Sequence, residues 1–455
     1  MNTKFEPLKK AAREAAKALG ITEYELYYVE SASISAETYR DEISAFSNSV
    51  GGTLSFRCIV GERVGYASTA LLTEDEVKAL VSRAADNAAL IEKDEKAIIF
   101  GGAKPEDYLP IESHEFAMPD AAEVKKTAMD CRNTLYAADS MVADGTECYA
   151  GADESTIFLY NSKGLDLSNH VGNTAAYMYA VLDDGKEKVY DYESKYNCFG
   201  KTDGARLDRD ALAAKVIDGA REKFGAGRPK TGKYNIVFTS KQMSSILSTF
   251  ITVFYAENAQ KGLSLLKGKT GKKIAADCVS ITDTPFYPGN TMQINFDGEG
   301  VPTREKKVVE NGVLKTLLYN LTSAEKDGVK TTGNASRAGS SIGTKPFWFY
   351  IEPGKSTRDE LIEKAGNGIL VTGMKGFHAG ANAVTGDFSI ESEGFYIENG
   401  KKTSPIKSFT IAGNFFELLK NINTLSDTIE DFNTPGYTNI AAPDTLILDL
   451  PVAGE

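Results

Sequence analysis

Residues 376–414 read GFHAGANAVTGDFSIESEGFYIENGKKTSPIKSFTIAGN, and they leave the backbone few choices. After a glycine-rich loop at 376–386, Phe388 and Ile390 alternate with Asp387, Ser389 and Glu391, and Phe395 and Ile397 carry the apolar face onward. That period of two predicts a half-buried strand over 387–398. Asn399-Gly400 supplies the two left-handed residues of a type I′ turn. The return strand is expected over 404–412, with Pro405 near its start, where a missing N–H does least damage. The product is a β-hairpin fed by an elaborate loop. Such loops serve either as tight sheet corners or as functional segments on a rigid strand. Both readings stay open at this point, because glycine, His378 and Asp387 come together there.

A chain of 455 residues is long enough for two or three domains with full cores. Its 42% hydrophobic and 25% charged content is that of a soluble globular protein. The net charge of −12 argues against a nucleic-acid partner, since phosphate binding needs a basic face. The opening MNTKFEPLKKAAREAAKALG has no apolar core of the kind a secretory leader needs, and no run is long enough to span a membrane. The expectation is a cytoplasmic chain with no membrane partner. Five cysteines, at 58, 131, 148, 198 and 278, lack CxxC spacing and read as buried thiols. Only three histidines occur, His114, His170 and His378, and that scarcity restricts catalysis more than any other compositional fact.

Taken in order, a helix is expected at 5–19, stopped by Gly20. Strands follow at 24–33, 36–46 and 51–60, the last turning at Gly61-Glu62 into 63–67. Thr73 with Glu76 forms a capping box for a helix whose buried face is Val77, Leu80, Val81, Ala84 and Ala88. An irregular stretch at 101–119 leads to a helix capped by Asp120, strands at 141–150 and 155–160, a hairpin from 166–182 to 188–192, and a helix at 208–224. The segment GAGRPKTGK at 225–233 is the best domain boundary. An N-terminal α+β domain is thus expected over 1–225, with 1–100 and 115–225 as its two units, followed by a second domain over 226–455. The latter opens with a strand at 234–239 and a helix at 242–260, with Ser240 as its candidate cap. A strand at 292–296, the turn DGEGVPTR, a second type I′ hairpin (306–310 and 313–319 about Asn311-Gly312), and a flexible loop at 331–339 come next. Strands at 348–352, 368–372 and 445–450 and a helix at 414–422 complete it. The fold class is α+β: helix-and-meander units first, then a mostly antiparallel β domain.

Two tempting motifs fail. His114-Glu115 would need a second histidine one helical turn on to bind zinc, but Phe116, Ala117, Met118 and Pro119 follow. The basic loop GLSLLKGKTGKK has Leu263 where a phosphate loop needs glycine, and it follows a helix rather than a strand. His170, alone in a strand, reads as structural.

Several long segments, in this order, resemble the TldD/PmbA (TldE) family, formerly described as modulators of DNA gyrase. They are FDGEGVPTREKKVVENGVLKTLLYN at 296–320, TTGNASR at 331–337, the stretch 385–414, and APDTLILDLPVAGE at the end, with 51–90 matching as well. The TldD-like branch of that family carries His-Glu-x-x-x-His on the first helix of its C-terminal domain and a cysteine ligand near the C-terminus. The corresponding helix here, 242–260, has no histidine, and no cysteine follows Cys278. Zinc catalysis needs three protein ligands and an open position. The chain is therefore placed in the PmbA/TldE-like branch, with no metal and no cofactor of its own.

The resemblance implies a C-terminal barrel-like β domain and dimers that enclose a chamber, formed with a TldD-like zinc-bearing paralogue or with itself. It also implies a non-catalytic subunit of a metallopeptidase acting on small or unfolded peptides. Gly376, His378, Asn382, Gly386, Asp387, Asn334 and Arg337 are then the candidates for lining the chamber or holding a peptide substrate, the last by strand addition. Two other readings stand beside it. One is an independent hydrolase with a Ser or Thr nucleophile, His378 or His170 as base, and Asp387 as orienter. The other is a protein-binding modulator of gyrase.

Overall fold

The computed structural model describes residues 5–90, 98–338, 341–430 and 437–455. The first half is built on one six-stranded antiparallel sheet, in the spatial order Arg63–Thr69, Glu42–Val60, Glu23–Tyr39, Glu147–Asn161, Asp166–Asp183 and Lys188–Tyr196. Strand alternation divides its side chains between two faces. Leu26, Tyr28, Leu54, Phe56 and Cys58 pack under the helices Phe5–Ala18 and Glu74–Leu90. Further along the same face, Ile34, Ala36, Ala150, Ala176 and Met178 pack under Ala121–Ala138 and Arg209–Arg221. The opposite face, with Ile157 and Leu159 and the flanking Tyr27 and Val29, meets Ile294, Phe296 and Phe347 of the second half.

Two strands at the start of this sheet are longer than the sequence pattern suggests. The expected strands at 24–33, 36–46 and 51–60 are in fact two, Glu23–Tyr39 and Glu42–Val60, joined at Arg40, whose φ of 54° turns the chain. Likewise Glu147–Asn161 is a single strand, and 141–146 lies outside it. Sheet pairing on one or both sides carries these strands through residues of weak strand preference such as serine and glycine.

In the second half, five strands close on themselves. Lys401–Asn414, Asp387–Glu398, Gly368–Lys375, Gly232–Phe238 and Thr445–Ala453 pair in that order, and the last pairs back to the first, with Thr410 opposite Ala453 and Ile411 opposite Val452. The barrel-like ring is antiparallel except for Gly368–Lys375 beside Gly232–Phe238. A second, five-stranded sheet lies alongside, and its strand Trp348–Ile351 pairs in parallel with Asn439–Ala441. Both sheets share the largest core, in which Phe250 stacks on Phe415 with ring centroids 4.7 Å apart. The hairpin of residues 387–414 turns at Asn399 and Gly400 with φ of 51° and 72°, the type I′ signature.

Other expectations change. Residues 292–296 form no strand, and the strand expected over 313–319 shrinks to Val313–Leu314. The loop expected at 331–339 contains the strand Ala335–Ala338; its last residue, Gly339, lies outside the described residues. The helix expected over 242–260 comes in three pieces, Ser240–Phe250, Ile251–Phe254 and Ala256–Gln260, and two further helices, Leu321–Asp327 and Arg358–Ala365, carry too little apolar periodicity to stand out. No helix among the described residues is long and apolar enough to cross a membrane.

One contact in the first half has no slack. A Cβ on Gly65 would lie 1.9 Å from the Ala84 carbonyl oxygen, because the helix Glu74–Leu90 rests directly on the strand backbone there. Gly65→Ala is expected to lower unfolding stability by about 1–3 kcal/mol through overpacking, measured by urea unfolding.

Candidate functional site

The first helix of the second half begins at Ser240, which is not a side-chain cap. The Ser240 N–H donates to Asp444 Oδ1 at 2.5 Å and its hydroxyl to the Ala442 carbonyl at 2.6 Å. Ser244 Oγ in turn accepts from the Ala442 N–H at 2.8 Å, and Arg358 grips both Asp444 oxygens, at 2.5 and 2.9 Å. The helix start is thus tied to the approach to the last strand. Its inward residues, Met243, Ile246, Leu247 and Phe250, are core. Glu257 is the only carboxylate over residues 240–260, and no histidine or cysteine occurs there. Cys278, the last cysteine, directs its thiol to the Ile422 carbonyl. Among the described residues no group of three or more His, Cys, Asp or Glu side chains is arranged to hold a metal. The donors on this helix do not fit a zinc ion.

The loop at 376–386 is held by its own polar groups. Gly376, with φ of 85°, opens a single helical turn, Phe377–Gly380. Asn382 Oδ1 accepts from the Val384 and Thr385 N–H groups at 2.9 and 3.3 Å, while its own N–H donates to the Asp387 carbonyl at 2.9 Å. Gly386 is buried with φ of 84°, and a Cβ there would strike the Phe416 ring at 2.6 Å. The Asp387 carboxylate accepts from Asn414 Nδ2 at 2.9 Å, and these bonds from Asn414 and Thr385 hold its pKa below the usual carboxylate value. Asn414 also caps Phe415–Lys420. Asn382, Gly386 and Asp387 therefore form one framework, with Gly376 and the exposed His378 on its rim. Among the described residues, no hydrogen bond or ion pair joins His378 to Asp387. The other histidines face acids: His170 lies 3.4 Å from Glu154, and His114 lies between Glu112 and Asp203 at 3.6 and 3.5 Å.

Asn334 and Arg337 lie elsewhere, Asn334 inside the second half and Arg337 in the seam between the two halves. Asn334 is fully buried and donates to Asp283 Oδ2 at 2.7 Å, which also takes the Lys306 ammonium at 2.9 Å. The Arg337 side chain is 1% exposed; it pairs with Glu25 from the first sheet and stacks 4.6 Å from the Tyr27 ring centroid. Arg57 joins the cluster, its Nε 2.6 Å from Glu25 and its Nη1 3.5 Å from Glu299. Glu299 accepts from the Leu321 N–H at 2.9 Å, and Asp297 accepts three backbone N–H groups, from Glu299, Val301 and Ala335. A cavity of about 350 Å³ opens beside Arg337, Asp297, Tyr27, Phe347 and Tyr437. Burial pushes the Asp297 carboxyl up to about 7, the Glu299 charge adding to the rise and the backbone donors opposing it. Burial also raises Glu299, against the pull of Arg57.

A cleft that the sequence reading did not identify runs between the strand Lys188–Tyr196 and the ring. It measures about 350 Å³ and includes Tyr190, Tyr192, Lys223, Gln242, Ser245 and Met374 in its walls. Lys223 bridges Asp191 and Glu393 at 3.3 and 3.1 Å, and these carboxylates outweigh burial in keeping it charged. Lys241 sits 3.6 Å over the Tyr192 ring centroid. Alternate tyrosines on one edge strand were the available signal; what they face depends on how the halves dock.

Two outcomes follow from the seam. Replacing Arg337 with Met leaves Glu25 short of a partner in a dry site, so a loss of about 3–5 kcal/mol is expected in urea unfolding. Asp297 keeps its proton in the folded chain up to about pH 7 but loses it near 3.8 when unfolded, so folding becomes less favourable as pH rises through that window and levels off above it. Unfolding followed between about pH 5 and pH 8 is expected to show that decline, and Asp297→Asn to flatten it.

Comparison with known proteins accounts for nearly the whole chain. Sequence models of the PmbA/TldA metallopeptidase family match as domain 1 over residues 24–88, the central domain over 114–224 and the C-terminal domain over 231–454. A protein from Haemophilus influenzae named a metalloprotease PmbA homolog is 26% identical over 98% of this chain and 95% of its own length. An uncharacterised Methanocaldococcus jannaschii protein is 28% identical over 89% and 92%. A crystallised Thermotoga maritima protein, named for a proposed modulation of a DNA gyrase, superposes with a TM-score of 0.88 at 26% identity, over 99% of this chain and all of that one. TldE from Thermococcus kodakarensis shares the fold, with a TM-score of 0.82 at 24% identity over 98% of this chain and 100% of its own. With three matched domains, a shared fold and a first C-terminal helix free of metal donors, the chain belongs to the PmbA/TldD/TldE family, on the side that lacks the zinc ligands.

Proposed function

We propose that this chain is the non-catalytic, TldE-like subunit of a two-subunit peptidase, and that it supplies part of a chamber in which a zinc-bearing paralogue cuts small or unfolded peptides. The observation that carries this reading is the helical segment 240–260. It keeps its place between Gly232–Phe238 and the core, yet holds serine, threonine and apolar residues where a metallopeptidase needs donors. Division of the chain near 225–233 into an N-terminal α+β domain and a C-terminal β domain is part of the same proposal.

The cleft beside Lys188–Tyr196 suits an extended peptide. That strand is the last in its sheet, so its outer edge can take another strand by main-chain pairing, with Tyr190 and Tyr192 offering apolar surface. Met374 and Lys375 in its wall lead directly into the loop at 376–386, and on this reading Gly376, His378, Asn382, Gly386 and Asp387 shape the surface next to the cleft. Asn334 and Arg337 act at a distance from this cleft, Asn334 by holding Asp283 and Lys306 within the second half and Arg337 by tying that half to Glu25. Four of the five free cysteines are buried, and burial pushes the Cys58 thiol up to about 11, as suits inert thiols in a reducing cytoplasm.

Purified chain is expected to carry no stoichiometric zinc and to show peptidase activity only when mixed with a paralogue bearing His-Glu-x-x-x-His. About one zinc per chain, or chelator-sensitive cleavage by the chain alone, overturns the proposal; cleavage by the chain alone that survives a chelator supports the hydroxyl-nucleophile reading instead. In the reconstituted complex, Tyr192→Ala is expected to weaken peptide binding by roughly tenfold, while His378→Ala leaves turnover within about twofold of the parent.

A further inference from the structure

We propose that the cleft beside Lys188–Tyr196 selects peptides by a carboxylate, which the Lys241 ammonium takes, while Gln242 beside it accepts a peptide N–H. The inference deepens the reading of this cleft as a peptide site and rests on it. What it adds is the charge of the group recognised and the residue that reads it.

The charges in the cleft wall set the sign. Its three carboxylates, Asp191, Glu391 and Glu393, are all held by lysines of the chain. Lys223 takes Asp191 and Glu393 at 3.3 and 3.1 Å, and Lys375 takes Glu391 at 3.0 Å. Of the two remaining lysines in the wall, Lys407 pairs with Glu187 at 2.8 Å. Lys241 is left. Among the described residues no carboxylate lies within ion-pair distance of it; its ammonium instead lies 3.6 Å over the Tyr192 ring centroid. A basic substrate group therefore meets only acids that already have partners, whereas an acidic one meets an ammonium with none. The Tyr192 face, which would otherwise attract a substrate cation, is occupied as well.

Placement and neighbours favour a peptide over a simple anion. A lysine resting on an aromatic face has given up part of its rotamer freedom, so less is lost when an anion binds. Gln242, the next residue, is 5% exposed, and its Nε2 donates to the Thr372 carbonyl at 2.9 Å. Among the described residues no donor reaches its Oε1, and a buried acceptor without a donor is uncommon. Ser245, four residues after Lys241, donates its hydroxyl to the Lys241 carbonyl at 2.9 Å, which leaves its oxygen to accept. Both side chains line the cleft. An inorganic anion would meet Lys241 but leave these acceptors unmet. A peptide segment brings backbone N–H donors and a carboxylate together. That carboxylate comes from a free C-terminus or from an Asp or Glu side chain, and either presents the same group to Lys241.

Isothermal titration calorimetry on the full chain tests this with N-acetylated peptides of alternating alanine and serine. Three forms are compared: a free C-terminal carboxylate, a C-terminal amide, and the amide with one central glutamate. An acidic form is expected to bind about tenfold tighter than the plain amide. Preference for the free acid assigns the C-terminus as the source of the carboxylate, and preference for the glutamate form assigns the side chain. Lys241→Gln is expected to bring the acid-to-amide ratio within about twofold, with a melting temperature within about 2 °C of the parent. Lys241→Arg is expected to keep the preference, and added salt to erode it. Equal binding of all three forms, or a preference that survives Lys241→Gln, overturns the proposal; the peptide reading of the cleft then still stands if Tyr192→Ala weakens all three. Binding of none of the three overturns both.

Discussion

The buried ion cluster of Glu25, Arg57, Arg337 and Glu299 is the constraint on which the two halves depend. Two acids and two bases alternate in a site that is almost dry, and they come from the first sheet and from two separate segments of the second half. A charge in such a place is tolerable only with its partner present, so neither half can present these residues satisfactorily without the other. The cluster ties the first sheet to the two segments that carry Glu299 and Arg337. The cleft beside Lys188–Tyr196 exists because of that docking, since its two walls belong to different halves.

The same reasoning explains what the family's recognisable motifs do here. DGEGVPTR and TTGNASR have the composition of ligand-holding loops. Their polar residues instead turn inward, Asp297 taking three backbone donors, Glu299 taking Arg57 and Leu321, and Asn334 linking Asp283 to Lys306. The loop at 376–386 behaves similarly: Asn382 and Asp387 satisfy backbone and side-chain donors of their own neighbourhood and of the following helix cap. Residues of this kind hold the local backbone in place. Chemistry requires a group held near a substrate with capacity left to react, and neither Asp387 nor His378 is paired as an acid–base couple would be.

The two ends of the first sheet differ in the side chains they carry. Lys188–Tyr196, at one end of the first sheet, lies in a charged, tyrosine-lined cleft. Glu42–Val60, near the other end, is mostly exposed over residues 43–53, with the Lys125 ammonium 4.1 Å over the Phe46 ring.

Much of this was legible in the chain itself. The type I′ hairpins at Asn311-Gly312 and Asn399-Gly400, the cap at Asp120 and the amphipathic helices of the first half all rest on local chemistry, which a sequence states directly. The α+β class followed from those local patterns, and the barrel-like ring from the resemblance. The merging of short strands into Glu23–Tyr39, Glu42–Val60 and Glu147–Asn161 was decided by sheet pairing across distant residues, against weak local break signals. Arg337 meeting Glu25, the raised pKa of Asp297 and the cleft around Lys223 were decided by tertiary structure alone, because burial and opposed charge arise only when segments hundreds of residues apart are brought together. Sequence spacing carries no record of that juxtaposition.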